Sequence, residues 1–357
     1  MKSIINNQHT IHFNSLAYDE LNVLLSSNTY SKTFIITDSN TNKHCLPLLF
    51  SKLNISWDGF EIIEVDPGEE HKTIDTCIGV WNALSDLGAD RKSLIINLGG
   101  GVITDLGGFV AATFKRGIDF INIPTSLLAM VDASIGGKTG VDSGSIKNQI
   151  GIIQSAKMIL VDSEFLQSLP QEQLRSGLAE MLKHGLAYSK AYWDKIKDLS
   201  KLNLDDLDKL IHESIQIKDS IVQQDPLEKS LRKTLNFGHT IGHAIESYCL
   251  SNSDKKTLLH GEAIAIGMIM ESYISYKHVG LTKNELLEIT TVINQTFPKV
   301  HFSDTDYNPI IELLKYDKKN VSGEINFVLL ESIGRSKLDC KVNNETIKEA
   351  FSYYENS

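Results

Sequence analysis

The period of the apolar positions changes once along the chain. In the first half, short β-branched runs alternate with helical patterns. Thr33–Thr37, Glu61–Val65, Ser93–Leu98 and Phe120–Ile123 each read as a buried strand, and Asp75–Leu87 reads as a helix between two of them. Strands alternating with helices predict a parallel sheet, which takes its ligands beyond the carboxyl ends of its strands. From Leu169-Pro170 onward the helical period dominates through Leu281. Leu202–Ile221 carries Leu204, Leu207, Leu210, Ile211, Ile215 and Ile217 along it. Near the end, Ile325–Leu330 reads as a short strand and Glu345–Tyr354 as a last helix. The expected fold is an α/β N-terminal domain with a parallel sheet over residues 1–169, followed by a mainly α-helical C-terminal domain over 170–357.

One stretch of the helical half departs from an ordinary amphipathic pattern. Leu231–Glu262 reads LRKTLNFGHTIGHAIESY, then a polar loop, then LLHGE. At the helical period Arg232, Asn236, His239, His243 and Glu246 share one stripe, with Ile241, Ala244, Ile245 and Tyr248 on the other side. A solvated helix would carry long charged side chains on its polar stripe. Here Gly238 and Gly242 interleave it, which predicts a buried functional face with room for a ligand. Two imidazoles one turn apart can converge on one ion. A zinc-protease helix needs Glu after its first His, and Thr240 stands there, so peptide hydrolysis is disfavoured. A third ligand must come from elsewhere. His260 opens the apolar run HGEAIAIGMIM, and Glu180 lies in GLAEMLKHG, one turn before Lys183 and His184. One Glu and two His would leave a zinc ion an open position for substrate.

Two glycine-rich stretches in the first half suggest phosphate chemistry. GGGVITDLGGF, Gly99 to Phe109, follows the SLIINL run directly, so its backbone can approach a pyrophosphate at a helix N-terminus. Thr104 occupies the third glycine position of the dinucleotide fingerprint, and for the glycines alone a plain tight turn is nearly as good a reading. Asp38, closing an earlier strand, suits a ribose hydroxyl or, equally, a turn. The block Ile123–Gly151 gathers Lys138, Lys147 and Asn148 among small residues between apolar runs, which predicts an ordered phosphate-binding segment. It is not a Walker A motif, because Asp132 stands where that motif needs its first glycine.

Composition narrows the classes. With a formal net charge of -10 over 357 residues, the surface repels nucleic acid and anionic membranes, and any anionic ligand must be held by locally gathered cations. Cys45, Cys77, Cys249 and Cys340 form no C-x-x-C pair, which argues against a disulfide framework or a thiolate zinc site and for a reducing compartment. The amino terminus has no apolar core of leader length, and no apolar run is long enough to span a bilayer. A soluble, cytoplasmic protein that binds small molecules is expected.

Taken together, these motifs resemble those of the 3-dehydroquinate synthases. PGEEHK, GGGVITDLGGF, IPTSLLAMVDASIGGKTG, GLAEMLKHG, LNFGHTIGHAIE and LHGE occur in one order from about Asp66 to Glu262. The resemblance implies that the α/β domain binds a nucleotide and the helical domain a metal. Glu180, His239 and His260 would carry a catalytic zinc, though such ligands also accept cobalt. His243 would be a proton-transfer group, and His184 a packing or outer histidine. For NAD the family pattern falls on Asp38, Glu69, Lys72, Gly100, Gly101, Val102, Asp105, Thr125, Ser126 and Lys147, with Lys138 serving both nucleotide and substrate. For a phosphorylated sugar acid it falls on Asp132, Lys138, Asn148, Lys183, Lys218, Arg232 and Asn236, with a lysine of the Lys318-Lys319 pair. Arg116 would reach a neighbouring subunit, so a homodimer is implied.

The implied reaction belongs to the shikimate pathway of aromatic amino acid biosynthesis. It converts 3-deoxy-D-arabino-heptulosonate 7-phosphate to 3-dehydroquinate and phosphate by transient NAD oxidation, phosphate elimination, reduction and aldol closure. The chain departs from the family at Asp142, where many members carry Asn, and in the run Ser143–Ile146. Rival readings are a sister sugar-phosphate cyclase making 2-deoxy-scyllo-inosose or an epi-valiolone, a metal-dependent polyol dehydrogenase, and a non-catalytic NAD- or zinc-binding regulator. The lysine set argues against a neutral polyol.

Overall fold

Runs rich in Ile, Leu and Phe, closed by turn residues, build the first half of the protein. The computed structural model describes residues 1–6, 9–27, 29–144, 146–198, 204–316 and 325–357. Leu202 and the Lys318-Lys319 pair lie outside the described residues. Two compact units emerge, Met1–Pro170 and Gln171–Ser357.

The first unit contains strands β1 (Ile4–Ile5), β2 (Thr10–Phe13), β3 (Thr33–Asp38), β4 (Phe60–Val65), β5 (Leu94–Gly99), β6 (Asp119–Pro124), β7 (Lys138–Ser143), β8 (Ile146–Ile153) and β9 (Met158–Val161). Its helices are α1 (Asn14–Ser26), α2 (Ser39–His44), α3 (Leu46–Ser51), α4 (Ile74–Asp86) and α5 (Gly101–Thr113). Among the described residues one sheet has the order β1-β2-β9-β6-β5-β3-β4. Every neighbouring pair in it is parallel except β1 with β2. The parallel α/β expectation is therefore met. β5 is buried at every position, as a central strand covered on both faces must be. β4 differs from its expected burial because it lies at the sheet edge, where Ile63 is buried and Glu61 and Glu64 stay in solvent and blunt the edge. Because the strands are parallel, Asp38, Gly99 and Pro124 end at one rim, and the Thr125 N–H donates to the Gly99 carbonyl at 3.0 Å. The Ile123–Gly151 block closes as the antiparallel hairpin of β7 and β8, which strand periodicity had not indicated.

The second unit is mainly helical: α6 (Gln171–Tyr188), α7 (Lys190–Ile196), α8 (Leu204–Gln224), α9 (His239–Ser251), α10 (His260–His278), α11 (Lys283–Thr296), α12 (Asp304–Leu313) and α13 (Asn344–Asn356). Strands β10 (Phe327–Ser332) and β11 (Arg335–Cys340) pair antiparallel beside them. α10 is the centre. Its Ala263–Met270 run is apolar on every side apart from Gly267 and is buried throughout, against α6, α9, α11, α13 and β10. Two glycines let backbones touch there. A Cβ on Gly261 would lie 2.2 Å from the Ser176 carbonyl oxygen of α6, and one on Gly267 would lie 2.0 Å from the Gly238 carbonyl oxygen before α9.

The single stripe expected from Arg232 to Glu246 is broken. Leu231–Asn236 is a 3-10 turn, Gly238 adopts φ 79°, and α9 begins only at His239. A left-handed residue interrupts helical continuity, so Arg232 and Asn236 do not share a helix face with His239 and His243. Among the described residues no helix is long and apolar enough to cross a membrane.

Candidate active site

Three helices of the second unit bring one carboxylate and two imidazoles together. Glu180 sits mid-way along α6 and is fully buried. His239 opens α9, and His260 opens α10. His239 Nε2 lies 3.5 Å and His260 Nε2 3.4 Å from the same atom, Glu180 Oε1. His243 completes a cluster with ring centroids 5.1 Å from His239 and 5.6 Å from His260. His239, His243 and His260 also offer ring nitrogens within 4.8 Å of one another, so geometry presents two triads that share His239 and His260.

Each shared imidazole is turned by an acceptor behind it. The Phe237 carbonyl takes the Nδ1 proton of His239 at 3.1 Å, and Glu246 Oε2 takes that of His260 at 3.2 Å. The start of α9 is itself fixed from α10. Gly238 has no side chain to cap the helix, and the buried Glu271 carboxylate accepts from the N–H groups of Gly238 at 2.7 Å and Ile241 at 3.1 Å.

The electrostatics match a cation site. Lys183 Nζ pairs with Glu180 Oε2, yet neither oxygen of this buried carboxylate receives a hydrogen bond of normal geometry. Burial would raise the Glu180 carboxyl, but Lys183 and His239 hold it well below the usual carboxylate range. Burial pushes the His239 imidazole down against the pull of Glu180. Burial acts the same way on His260, but Glu246 and Glu180 outweigh it and push the group up to about 10. One carboxylate and two imidazoles with Nε2 directed inward form a donor set suited to zinc or cobalt.

Of the remaining expected residues of this unit, Lys183 reaches the cluster through Glu180. Lys183, Lys218 and Arg232 are buried, an arrangement that costs desolvation and is retained where a charge has a task. The Arg232 guanidinium donates to the Pro226 carbonyl at 2.9 Å, and Asn236 donates to Glu228 at 2.6 Å. His184 is fully buried, with Nδ1 2.8 Å from the Ser214 hydroxyl of α8, as a packing histidine would be.

The first unit gathers a second group of residues at the carboxyl rim of its sheet. Gly100 and Gly101 open α5 directly after β5, Val102 follows, and Thr125 and Ser126 follow β6. Asp38 Oδ1 caps α2 by accepting from the Thr41 N–H at 2.9 Å, so the turn-forming role of Asp38 is realised. Lys72 is buried and donates to Asp105 Oδ2 and Asn148 Oδ1, each at 2.7 Å, with Glu69 3.8 Å away. Burial opposes its charge, but Asp105 and Glu69 raise its pKa. Lys147 lies 3.5 Å from Glu69. Asn148 has φ 52°, and its N–H donates to Asp142 at 2.7 Å, so Asn148, expected at the substrate, stands within the network of expected nucleotide residues. Asp132 lies in the short π-helix Ala129–Ala133, Lys138 is exposed at the start of β7, and Arg116 is exposed with φ 73°.

Sequence reasoning missed the supporting groups. Glu246 shares the helical spacing of His239 and His243, and that spacing is the signal for it. Glu271, an acid inside the buried run IGMIMESYIS, was a second one.

Comparison with known proteins is consistent along the chain. A family model described as 3-dehydroquinate synthase N-terminal matches residues 62–176, and one described as 3-dehydroquinate synthase C-terminal matches residues 177–320. The 3-dehydroquinate synthase of Parabacteroides distasonis is 41% identical over 345 residues, covering 95% of each chain. Among solved structures, 2-deoxy-scyllo-inosose synthase complexed with carbaglucose-6-phosphate, NAD+ and Co2+ superposes with a TM-score of 0.85 at 25% identity, covering 99% of each chain. The 2-epi-5-epi-valiolone synthase of Streptomyces hygroscopicus with NAD+ and Zn2+ bound gives 0.83 at 25% identity, covering 100% of this chain and 99% of that one.

Proposed function

The chain belongs to the 3-dehydroquinate synthase family, and from that premise we propose how its own residues divide the work. The activity is that of an NAD- and metal-dependent lyase which converts 3-deoxy-D-arabino-heptulosonate 7-phosphate to 3-dehydroquinate and phosphate, a shikimate-pathway step. One observation carries the site assignment: the two Nε2 atoms of His239 and His260 meet one buried oxygen of Glu180. These three residues would hold zinc or cobalt. When bound, the ion would lower the pKa of a substrate hydroxyl, and NAD would take up and later return a hydride.

The rest is done by side chains. The rim residues Gly100, Gly101, Val102, Thr125 and Ser126 would receive the dinucleotide, with Asp38, Glu69, Lys72, Asp105, Lys138 and Lys147 around it. In the second unit Arg232, Lys183, Lys218 and Asn236 would bind a ligand that brings both phosphate and carboxylate. In the first unit Asp132, Lys138 and Asn148 are proposed, from the family pattern, for the same class of ligand. Lys183, Lys218 and Arg232 are buried, and guanidinium and ammonium groups are fitting partners for phosphate and carboxylate. His243, half-buried beside both ligand imidazoles, is positioned to move a proton to or from the substrate.

Two further readings are proposed with it. The exposed Arg116, and Ile150, Ile152 and Ile153, which stand 38–49% exposed on β8, support a homodimer contact. Four thiol cysteines, three of them buried, support a cytoplasmic setting. The activity is tested by incubating protein, zinc, NAD and the heptulosonate phosphate while following phosphate and NADH together. Phosphate release with no accumulating NADH is expected. NADH accumulating in step with turnover would instead mark a polyol-type dehydrogenase.

A further inference from the structure

We propose that Glu246 is a positioning residue of the metal centre, accepting the Nδ1 proton of His260 so that this imidazole presents Nε2 to the cation. The inference rests on the metal reading above and extends it beyond the three ligands. Glu246 is buried, lies on α9 two turns after His239, and reaches across to the first residue of α10 at 3.2 Å. The two nitrogens of an imidazole ring diverge, so a carboxylate bound at Nδ1 stands behind the ring and not in the coordination sphere that Nε2 enters. His239 and His260 therefore differ in what holds them. The acceptor behind His239 is a neutral carbonyl, whereas the one behind His260 is a carboxylate.

That difference has a chemical consequence. A carboxylate behind a ligating imidazole fixes the tautomer, restricts ring rotation and makes the inward nitrogen a better donor. It also adds a second negative charge close to a dication whose only anionic ligand, Glu180, already shares its charge with Lys183. Glu246 further ties α9 to α10 at the point where both deliver ligands, so the separation of the two Nε2 atoms depends on it.

The test is zinc affinity, measured by competition with a chromophoric chelator on the full chain, for wild type, Glu246→Ala, Glu246→Gln and Glu180→Ala. Glu246→Ala is expected to weaken zinc binding about 10- to 100-fold. Glu246→Gln retains an acceptor oxygen and should recover part of that loss. The cobalt-loaded Glu246→Gln protein should show a shifted visible absorption band, which a purely structural contact would leave in place. If Glu180→Ala loses zinc while both Glu246 variants bind it as tightly as wild type with unchanged cobalt spectra, the inference is overturned and the ligand set stands. If Glu180→Ala also binds zinc normally, the metal reading falls and the inference with it. Should Glu246→Ala fail to fold, the affinity and cobalt spectrum of Glu246→Gln decide alone.

Discussion

His239 and His243 stand one turn apart on α9 with rings 5.1 Å apart, and the function proposed above gives them different work. His239 has its Nδ1 held by a backbone carbonyl and its Nε2 near Glu180, the geometry of a ligand, while His243 is the more exposed of the two. His239→Ala should therefore abolish zinc retention and turnover together. His243→Ala should keep stoichiometric zinc by metal analysis and lower kcat about 10²- to 10⁴-fold, the usual worth of a positioned proton donor. The reverse pattern would show the roles exchanged. At this scale the sequence was informative where residue types are chemically restrictive, as with Glu180 and the histidines, whereas Lys72, Lys218 and Arg232 gained a role only through the family resemblance. It was uninformative about groups that act from behind, because a backbone carbonyl such as that of Phe237 leaves no mark in a sequence.

At the scale of elements, the proposed ligands Glu180, His239 and His260 converge because α10 can lie against both α6 and the start of α9. Gly261 permits the first contact, since its N–H donates to the Ser176 hydroxyl at 2.9 Å and any Cβ would strike three backbone atoms of Ser176. Gly261→Ala is expected to cost about 3 kcal/mol through overpacking, read as a lower Tm, and to weaken zinc binding because His260 is the adjacent residue. A variant with unchanged Tm and affinity would show that the contact does not set the ligand spacing. A second junction ties α9 to α12. Asp306 accepts from Tyr248 at 2.5 Å, Lys255 at 2.6 Å and the Ser303 N–H at 2.7 Å. Burial would raise its pKa, but Lys255, Tyr248 and Ser303 lower it from 3.8 to about 2. A depressed folded-state pKa contributes stability that is present above the unfolded value and is lost as pH falls through the folded one. Asp306→Asn should thus cost about 2 kcal/mol at pH 7, and urea unfolding should show the gap to wild type closing between about pH 4 and pH 2. Element types were legible where periodicity was long, as in α8 and α13, or where an apolar run was unbroken, as in β5. The break at Gly238 was not, because a helical stripe continues on paper through a residue whose φ only the packing of Gly267 against its carbonyl reveals.

Across the whole molecule, on the reading proposed above, the parallel sheet with its glycine-rich rim in the first unit would serve the dinucleotide and the three-helix centre in the second the metal. The change of hydrophobic period near Leu169 foretold the two textures, since strands and helices demand different spacing of apolar residues. The sheet order was not legible, because periodicity carries no information about which strand neighbours which. β9 inserting between β2 and β6 is a matter of long-range pairing. The net charge of -10 is read from the sequence, but the burial of Lys72, Lys183, Lys218 and Arg232 is likewise a property of the folded chain and not of any segment. The claim on which the rest stands is the identity of the metal ligands, and zinc-edge X-ray absorption combined with anomalous diffraction on the zinc-loaded protein tests it most directly. The account predicts one ion bonded at ~2.0–2.2 Å to a carboxylate oxygen of Glu180 and to Nε2 of His239 and His260. An ion held instead by His239, His243 and His260, with Glu180 outside its reach, would contradict it.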